Sequence, residues 1–157
     1  MIEPGQPAPD FELPNQDGEP VRLSDLRGKR IVLYFYPKAD TPGCTTQACG
    51  IRDHQVDYDA AGATILGVSP DPVKAVKKFH DKYALSFDLL ADADHTVADE
   101  YGVWVEKSMY GRKYWGNARA TFVIDEEGIV RHVVPKASPK THDDVILAAL
   151  AELAPAA

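Results

Sequence analysis

"IVLYFYPKADTPGC", residues 31–44, carries two signals in succession. Ile31–Tyr36 is an unbroken apolar run of strand length, β-branched and aromatic, the pattern of a strand buried on both faces. Pro37 stops it, and Thr41-Pro42-Gly43 then reads as the entry to a helix. A buried strand leading into a helix is the repeating unit of an α/β sheet.

Working outward, the same alternation continues. The helix opened at Thr41 is predicted to run to about Ala61, ended by Gly62, and "TILGVS" (64–69) is the next buried strand. "DPVKAVKKFHDKYA" predicts a helix with Pro72 in its first turn and a solvated charge run, "KKFHDK". "FDLLAD" (87–92) is a short strand, and "HTVADEYG" a helix closed by Gly102. "YGVWVEKSMYGRKYWG" (101–116) concentrates aromatics and reads as a packed loop. "ATFVID" (120–125) and "IVRHVV" (129–134) form a hairpin around "EEG". "HDDVILAALAEL" (142–153) is a final amphipathic helix whose Val145, Ile146, Leu150 and Leu153 face the core. Upstream, "FELPNQDGEPVRL" predicts two short strands around an Asp17-Gly18 turn, with Ser24 capping a helical turn that ends at Gly28. The expected fold is α/β and thioredoxin-like: a central mixed β-sheet flanked by helices, with an N-terminal β-hairpin, in one domain over 1–157.

Composition narrows the function. A net charge of −7 spread along the chain argues against nucleic acid, which demands clustered Lys and Arg. No apolar run approaches the ~20 residues of a membrane helix. The start, "MIEPGQPAPDF", has neither the basic nor the hydrophobic region of a signal peptide, so a cytoplasmic location is expected. In that compartment a disulfide is usually transient and catalytic or sensing. The chain has two cysteines, Cys44 and Cys49, too few for a disulfide scaffold.

With Thr41 as N-cap, Pro42 falls at N1, Gly43 at N2 and Cys44 at N3. The threonine hydroxyl is then expected to reach the Cys44 backbone N–H or its sulfur. The unpaired N–H groups of a first helical turn favour an anion, and a thiolate is one. A free cysteine is also a common small core residue, but the Thr-Pro-Gly entry weighs for a nucleophile. Residues five apart on a helix have Cα atoms roughly 8–9 Å apart, beyond the ~7 Å limit for a disulfide. Cys44 and Cys49 therefore either never join, or this helix unwinds in function. Thr45, Thr46 and Gly50, all modest or poor helix formers, favour unwinding. Four intervening residues do not match a dithiol Cys-x-x-Cys motif, and His54 lacks the companions of a metal site. The histidines at 54, 80, 95, 132 and 142 are read as mostly surface residues without catalytic roles.

"YFYPKADTPGCTTQACGIRD" resembles the active-site segment of the peroxiredoxins, and within them the bacterioferritin-comigratory-protein (PrxQ) subfamily. The P-x-x-x-T-x-x-C motif falls on Pro37, Thr41 and Cys44, and further segments match in order along nearly the whole chain. The resemblance implies a thiol-dependent peroxidase acting on hydrogen peroxide and organic hydroperoxides. It implies Cys44 as the peroxidatic cysteine and Cys49 as the resolving cysteine, joined in an intramolecular disulfide that thioredoxin or a similar dithiol reduces. Arg119 matches the active-site arginine, Thr41 would hydrogen-bond the attacked oxygen, and Pro37 would shield the thiolate. No metal or organic cofactor is needed, because sulfur supplies both electrons. The chain is expected as a monomer or weak homodimer. Rival readings are a thiol–disulfide oxidoreductase and a redox-sensing switch.

Overall fold

The computed structural model describes residues 1–153. Its centre is a five-stranded mixed sheet ordered β5-β4-β3-β8-β9. The strands are β3 (Arg30–Phe35), β4 (Ala63–Ser69), β5 (Asp88–Ala91), β8 (Thr121–Ile124) and β9 (Val130–Val134). β3, β4 and β5 are parallel, while β8 and β9 run antiparallel to their neighbours. β3 is the middle strand, which is why residues 31–36 are apolar without interruption.

Alternation along β3 serves two layers. Val32, Tyr34 and Tyr36 face a core shared with α1 (Pro42–Asp53), α2 (Gln55–Ala60), α3 (Val73–Lys82) and α5 (His142–Glu152). Ile31, Leu33 and Phe35 face the opposite core, closed by α4 (Thr96–Tyr101) and the N-terminal segment. The N-terminal hairpin is present as β1 (Glu12–Pro14) paired with β2 (Pro20–Arg22). Among the described residues, no helix is long and apolar enough to cross a membrane.

Four expectations need correction. The helix from Thr41 is two helices, α1 and α2, broken at His54. The His54 N–H is shared between the Gly50 and Ile51 carbonyls, each at 3.1 Å, as at a helix terminus, and the His54 ring also takes the Gly50 carbonyl at 2.8 Å. Ser24 lies inside a short 3-10 turn (Leu23–Leu26) instead of capping it, and its N–H donates to Asp10 Oδ1 at 2.8 Å. Residues 101–116 are not a packed loop: β6 (Trp104–Met109) and β7 (Arg112–Asn117) form an antiparallel hairpin. Tyr110 and Gly111, both at positive φ, make its two-residue turn. In α5, Val145 is exposed and Ala149 takes a core place beside Ile146 and Leu150.

Candidate active site

β3 delivers the chain to Pro37 at the edge of the core, and the segment 37–41 then turns into α1. Three contacts hold that turn. The Ala39 N–H donates to Asp71 Oδ2 at 2.8 Å, and Asp40 accepts from Lys82 Nζ and from the Tyr83 hydroxyl, each at 2.9 Å. Asp40 adopts φ 58°, a left-handed conformation that these side-chain bonds over-determine. Thr41 is the N-cap and Pro42 opens the helix, as the sequence predicts.

The Thr41 hydroxyl does neither task assigned to it. It donates to the Lys38 carbonyl at 2.9 Å, bracing the turn instead of capping the helix or reaching the sulfur. Cys44 lies in the first turn of α1, 2 % exposed, and Cys49 lies half-buried further along the same helix. Both are free thiols in a wound helix.

Arg119, on the short link between β7 and β8, comes to the sulfur from the sheet side. Its Nη2 donates to Cys44 Sγ at 3.5 Å and its Nη1 to Gln47 Oε1 at 2.8 Å. A forked guanidinium held at two points cannot swing from the sulfur as a lysine could. Gly43 makes room: a Cβ there would stand 3.1 Å from Arg119 Nη2. Gln47, three residues after Cys44 and so on the same helical face, is 1 % exposed. Gln47 carries no expectation from the sequence above, where its spacing from Cys44 was the available signal.

Behind this triad the sheet carries buried polar groups. Tyr34 is buried, and burial raises its hydroxyl pKa well above the usual phenol value. His142, read as a surface residue, is 2 % exposed at the start of α5, with Nε2 2.9 Å from Thr121 Oγ1 and its ring 5.9 Å from that of Tyr34. Burial, aided by the charge of Arg119, depresses its pKa from 6.5 to about 4, so it is neutral at pH 7. Its neighbour Asp143 points to the other end of α1. There it accepts from the Tyr58 hydroxyl at 2.6 Å and faces His54 Nδ1 at 3.5 Å. The described residues hold no cluster of three or more potential metal ligands.

The expected residues therefore divide. Cys44 and Arg119 meet directly. Thr41 and Pro37 flank the helix entry, and Cys49 stands apart from Cys44 along the wound helix. A thiol at a helix N-terminus, faced by a fixed cation, is equipped for nucleophilic attack with charge transfer to a leaving atom.

A model of the AhpC/TSA family matches residues 4–133. A putative peroxiredoxin bcp of Coxiella burnetii is 52% identical over 141 residues, covering 90% of this chain and 93% of that protein. The crystal structure of the peroxidoxin BcpB of Mycobacterium tuberculosis superposes with a TM-score of 0.88 at 38% identity, covering 98% of this chain and 99% of that one. The bacterioferritin comigratory protein of Xanthomonas campestris, described in trapped intermediate and ligand complexes bearing on alkyl peroxide reduction, superposes with a TM-score of 0.85 at 38% identity over 90% of each chain. The thioredoxin-like peroxiredoxin fold of these neighbours is the fold described above.

Proposed function

The chain belongs to the AhpC/TSA family, and from that footing we propose that Cys44 is the peroxidatic nucleophile of a two-cysteine cycle completed by Cys49. The enzyme is a thiol-dependent peroxidase, an oxidoreductase. The Cys44 thiolate attacks one peroxide oxygen: an S–O bond forms, the O–O bond breaks, and the second oxygen leaves as hydroxide or alkoxide and takes a proton. Sulfur loses two electrons and becomes a sulfenic acid. Cys49 then attacks that sulfur, water leaves, and a disulfide joins the two residues. A dithiol protein of thioredoxin type returns both thiols by exchange, in a cytoplasmic, reducing setting.

The observation that carries this reading is the Arg119 fork, one arm on Cys44 Sγ at 3.5 Å and the other on Gln47. It fixes a positive charge where negative charge must be held before attack and dispersed during it. The first-turn N–H groups at Gly43 and Cys44 add donors on the helix side. With its own proton committed to Lys38, the Thr41 oxygen is left as an acceptor for the peroxide O–H. Half-buried Pro37 limits water beside the sulfur.

Resolution needs a second conformation. Five helical positions keep the cysteine Cα atoms roughly 8–9 Å apart, too far for a disulfide, so α1 unwinds locally before Cys49 can reach. Turnover with a thioredoxin donor, read for both cysteine variants, tests the assignment. Cys44→Ser is expected to lose peroxide consumption, whereas Cys49→Ser completes one round without an intramolecular disulfide. Full turnover by Cys44→Ser would overturn it.

A further inference from the structure

The β6–β7 hairpin takes no part in the cycle above, yet it is rooted at the reacting end of the sheet. Asn117, fully buried, donates through Nδ2 to the Tyr36 carbonyl at 3.2 Å, and the Ala118 N–H donates to the Val103 carbonyl at 2.8 Å. Tyr36 directly precedes Pro37, and Arg119, directly after Ala118, meets Cys44 Sγ at 3.5 Å. The hairpin and the first turn of α1 therefore leave the same end of β3. Strands of this length span about 20 Å, so the hairpin tip lies no further than that from its root at Asn117.

The outer half of the hairpin gathers apolar surface. Seven large hydrophobic side chains are exposed among the described residues, and four of them, Met109, Tyr110, Tyr114 and Trp115, lie here, with Tyr110 at 99 %. Met109, Tyr110 and Tyr114 share one pocket with Arg112 and Lys113, and no carboxylate lines it. Residues 104–117 hold Lys107, Arg112 and Lys113 against Glu106 alone, in a chain whose net charge is −7. Glu106 reaches Lys113 at 3.7 Å from the opposite face, whereas Arg112 forms no ion pair among the described residues. Tyrosine, tryptophan, methionine and arginine are the side chains enriched at protein interfaces, and a contiguous exposed group of them marks a contact surface.

We propose that the outer half of this hairpin is the docking surface for the dithiol protein that reduces the Cys44–Cys49 disulfide, and that this partner meets it with an acidic patch beside its thiols. Charge selects such a partner. An acidic protein is repelled by the chain as a whole and finds opposite charge at the hairpin, with Arg112 unpaired to receive a carboxylate. Tyr110 and Tyr114 supply the apolar anchors. Position selects it too. A standard interface covers about 800 Å² on each partner, roughly 30 Å across, so a protein seated on the tip also spans the start of α1. Exchange then passes two electrons inward: the partner's dithiol closes to a disulfide while both cysteines return to thiols.

This rests on the two-cysteine cycle, and the test separates the two. The full chain is oxidised by one equivalent of peroxide, and reduction of its disulfide is followed with thioredoxin and, separately, with dithiothreitol, which needs no docking surface. Tyr110→Ala and the double variant Arg112→Glu, Lys113→Glu are each expected to lower kcat/KM for thioredoxin about tenfold or more, chiefly through KM. Reduction by dithiothreitol and single attack on peroxide are expected to stay within about twofold of the wild type. Added salt is expected to slow the wild type with thioredoxin and to leave the charge-reversed variant little changed. No reduction of the wild type by thioredoxin, undiminished reduction of both variants, an equal loss with dithiothreitol, or a wild-type rate indifferent to salt would each overturn the proposal. So would a wild-type dimer that Tyr110→Ala splits, because a second copy would then hold the hairpin. If peroxide forms no Cys44–Cys49 disulfide in the wild type, the cycle itself fails and the docking proposal with it.

Discussion

The two ends of α1 hold one cysteine each and are built differently. At the Cys44 end several fixed contacts converge: the Arg119–Gln47 fork at the buried sulfur and the turn pinned by Asp71, Lys82 and Tyr83, with the neutral, buried His142 nearby on Thr121 and Tyr34. At the Cys49 end the helix breaks at His54 and is held by a half-exposed imidazole and the Asp143 carboxylate. Gly50 lets Asp143 come close: a Cβ there would fall 2.6 Å from Oδ2. Of two adjacent residues of α5, His142 packs on Thr121 and Tyr34 of the sheet, whereas Asp143 supports the far end of α1. Attack needs fixed charges at the first cysteine, and resolution needs the second to be released. The firm end does chemistry, and the looser end supplies reach.

Breaking the firm end has the largest expected effect. Arg119→Met removes the donor facing Cys44, and a single preorganised donor of this kind is worth about 10²–10³ in rate. Arg119→Lys is expected to recover little, because it cannot hold Gln47 and the sulfur together. Single-turnover oxidation by peroxide reads both variants.

Acid acts on the core beside that end through His142. Its folded-state pKa of about 4 lies below the ordinary 6.5, so the unfolded chain binds the proton first. Stability from this group is fully present above pH 6.5 and is lost as pH falls toward 4, by about 3 kcal/mol in all. Urea unfolding at pH 7 and pH 5 is expected to show that slope in the wild type and a flatter one in His142→Gln.

Loosening the other end costs less. Tyr58→Phe leaves the buried side of Asp143 without its donor, for a loss of about 1–3 kcal/mol. The same variant is expected to form the intramolecular disulfide faster after oxidation, since the Cys49 end opens more easily. An equal fall in stability with no change in disulfide rate would detach the Asp143 contact from resolution. His54→Gln sits at the bottom of the scale, below about 1 kcal/mol, because its contact with Asp143 is solvent-screened. Its effect has a direction in pH. The Gly50 carbonyl raises the His54 pKa, so its contribution is present below pH 6.5 and lost as pH rises through the folded value.

The firm end was also the legible one. Ile31–Tyr36 announces a central strand because nothing polar interrupts it, and Thr41-Pro42-Gly43-Cys44 announces a helix start through local chemistry alone. The looser end depends on partners far along the chain. At the break the His54 ring meets the Gly50 carbonyl and faces Asp143, and the Asp143 contact is one that no local pattern around residue 54 reveals. His142 stands among polar residues in "KTHDD", and only the landing of α5 on Thr121 and Tyr34 buries it. The β6–β7 hairpin hid for another reason. Its outer half is exposed on both faces, so the apolar–polar alternation that marks a half-buried strand is absent, and the Tyr110-Gly111 turn was the one usable signal.

Hydrogen exchange across residues 42–53, before and after one equivalent of peroxide, tests the division most directly. Oxidation of the wild type is expected to strip protection from this segment as the Cys44–Cys49 disulfide forms, while Cys49→Ser, halted at the sulfenic acid, keeps it. A disulfide between the two residues with α1 still fully protected would contradict the claim that this helix serves attack when wound and resolution when open.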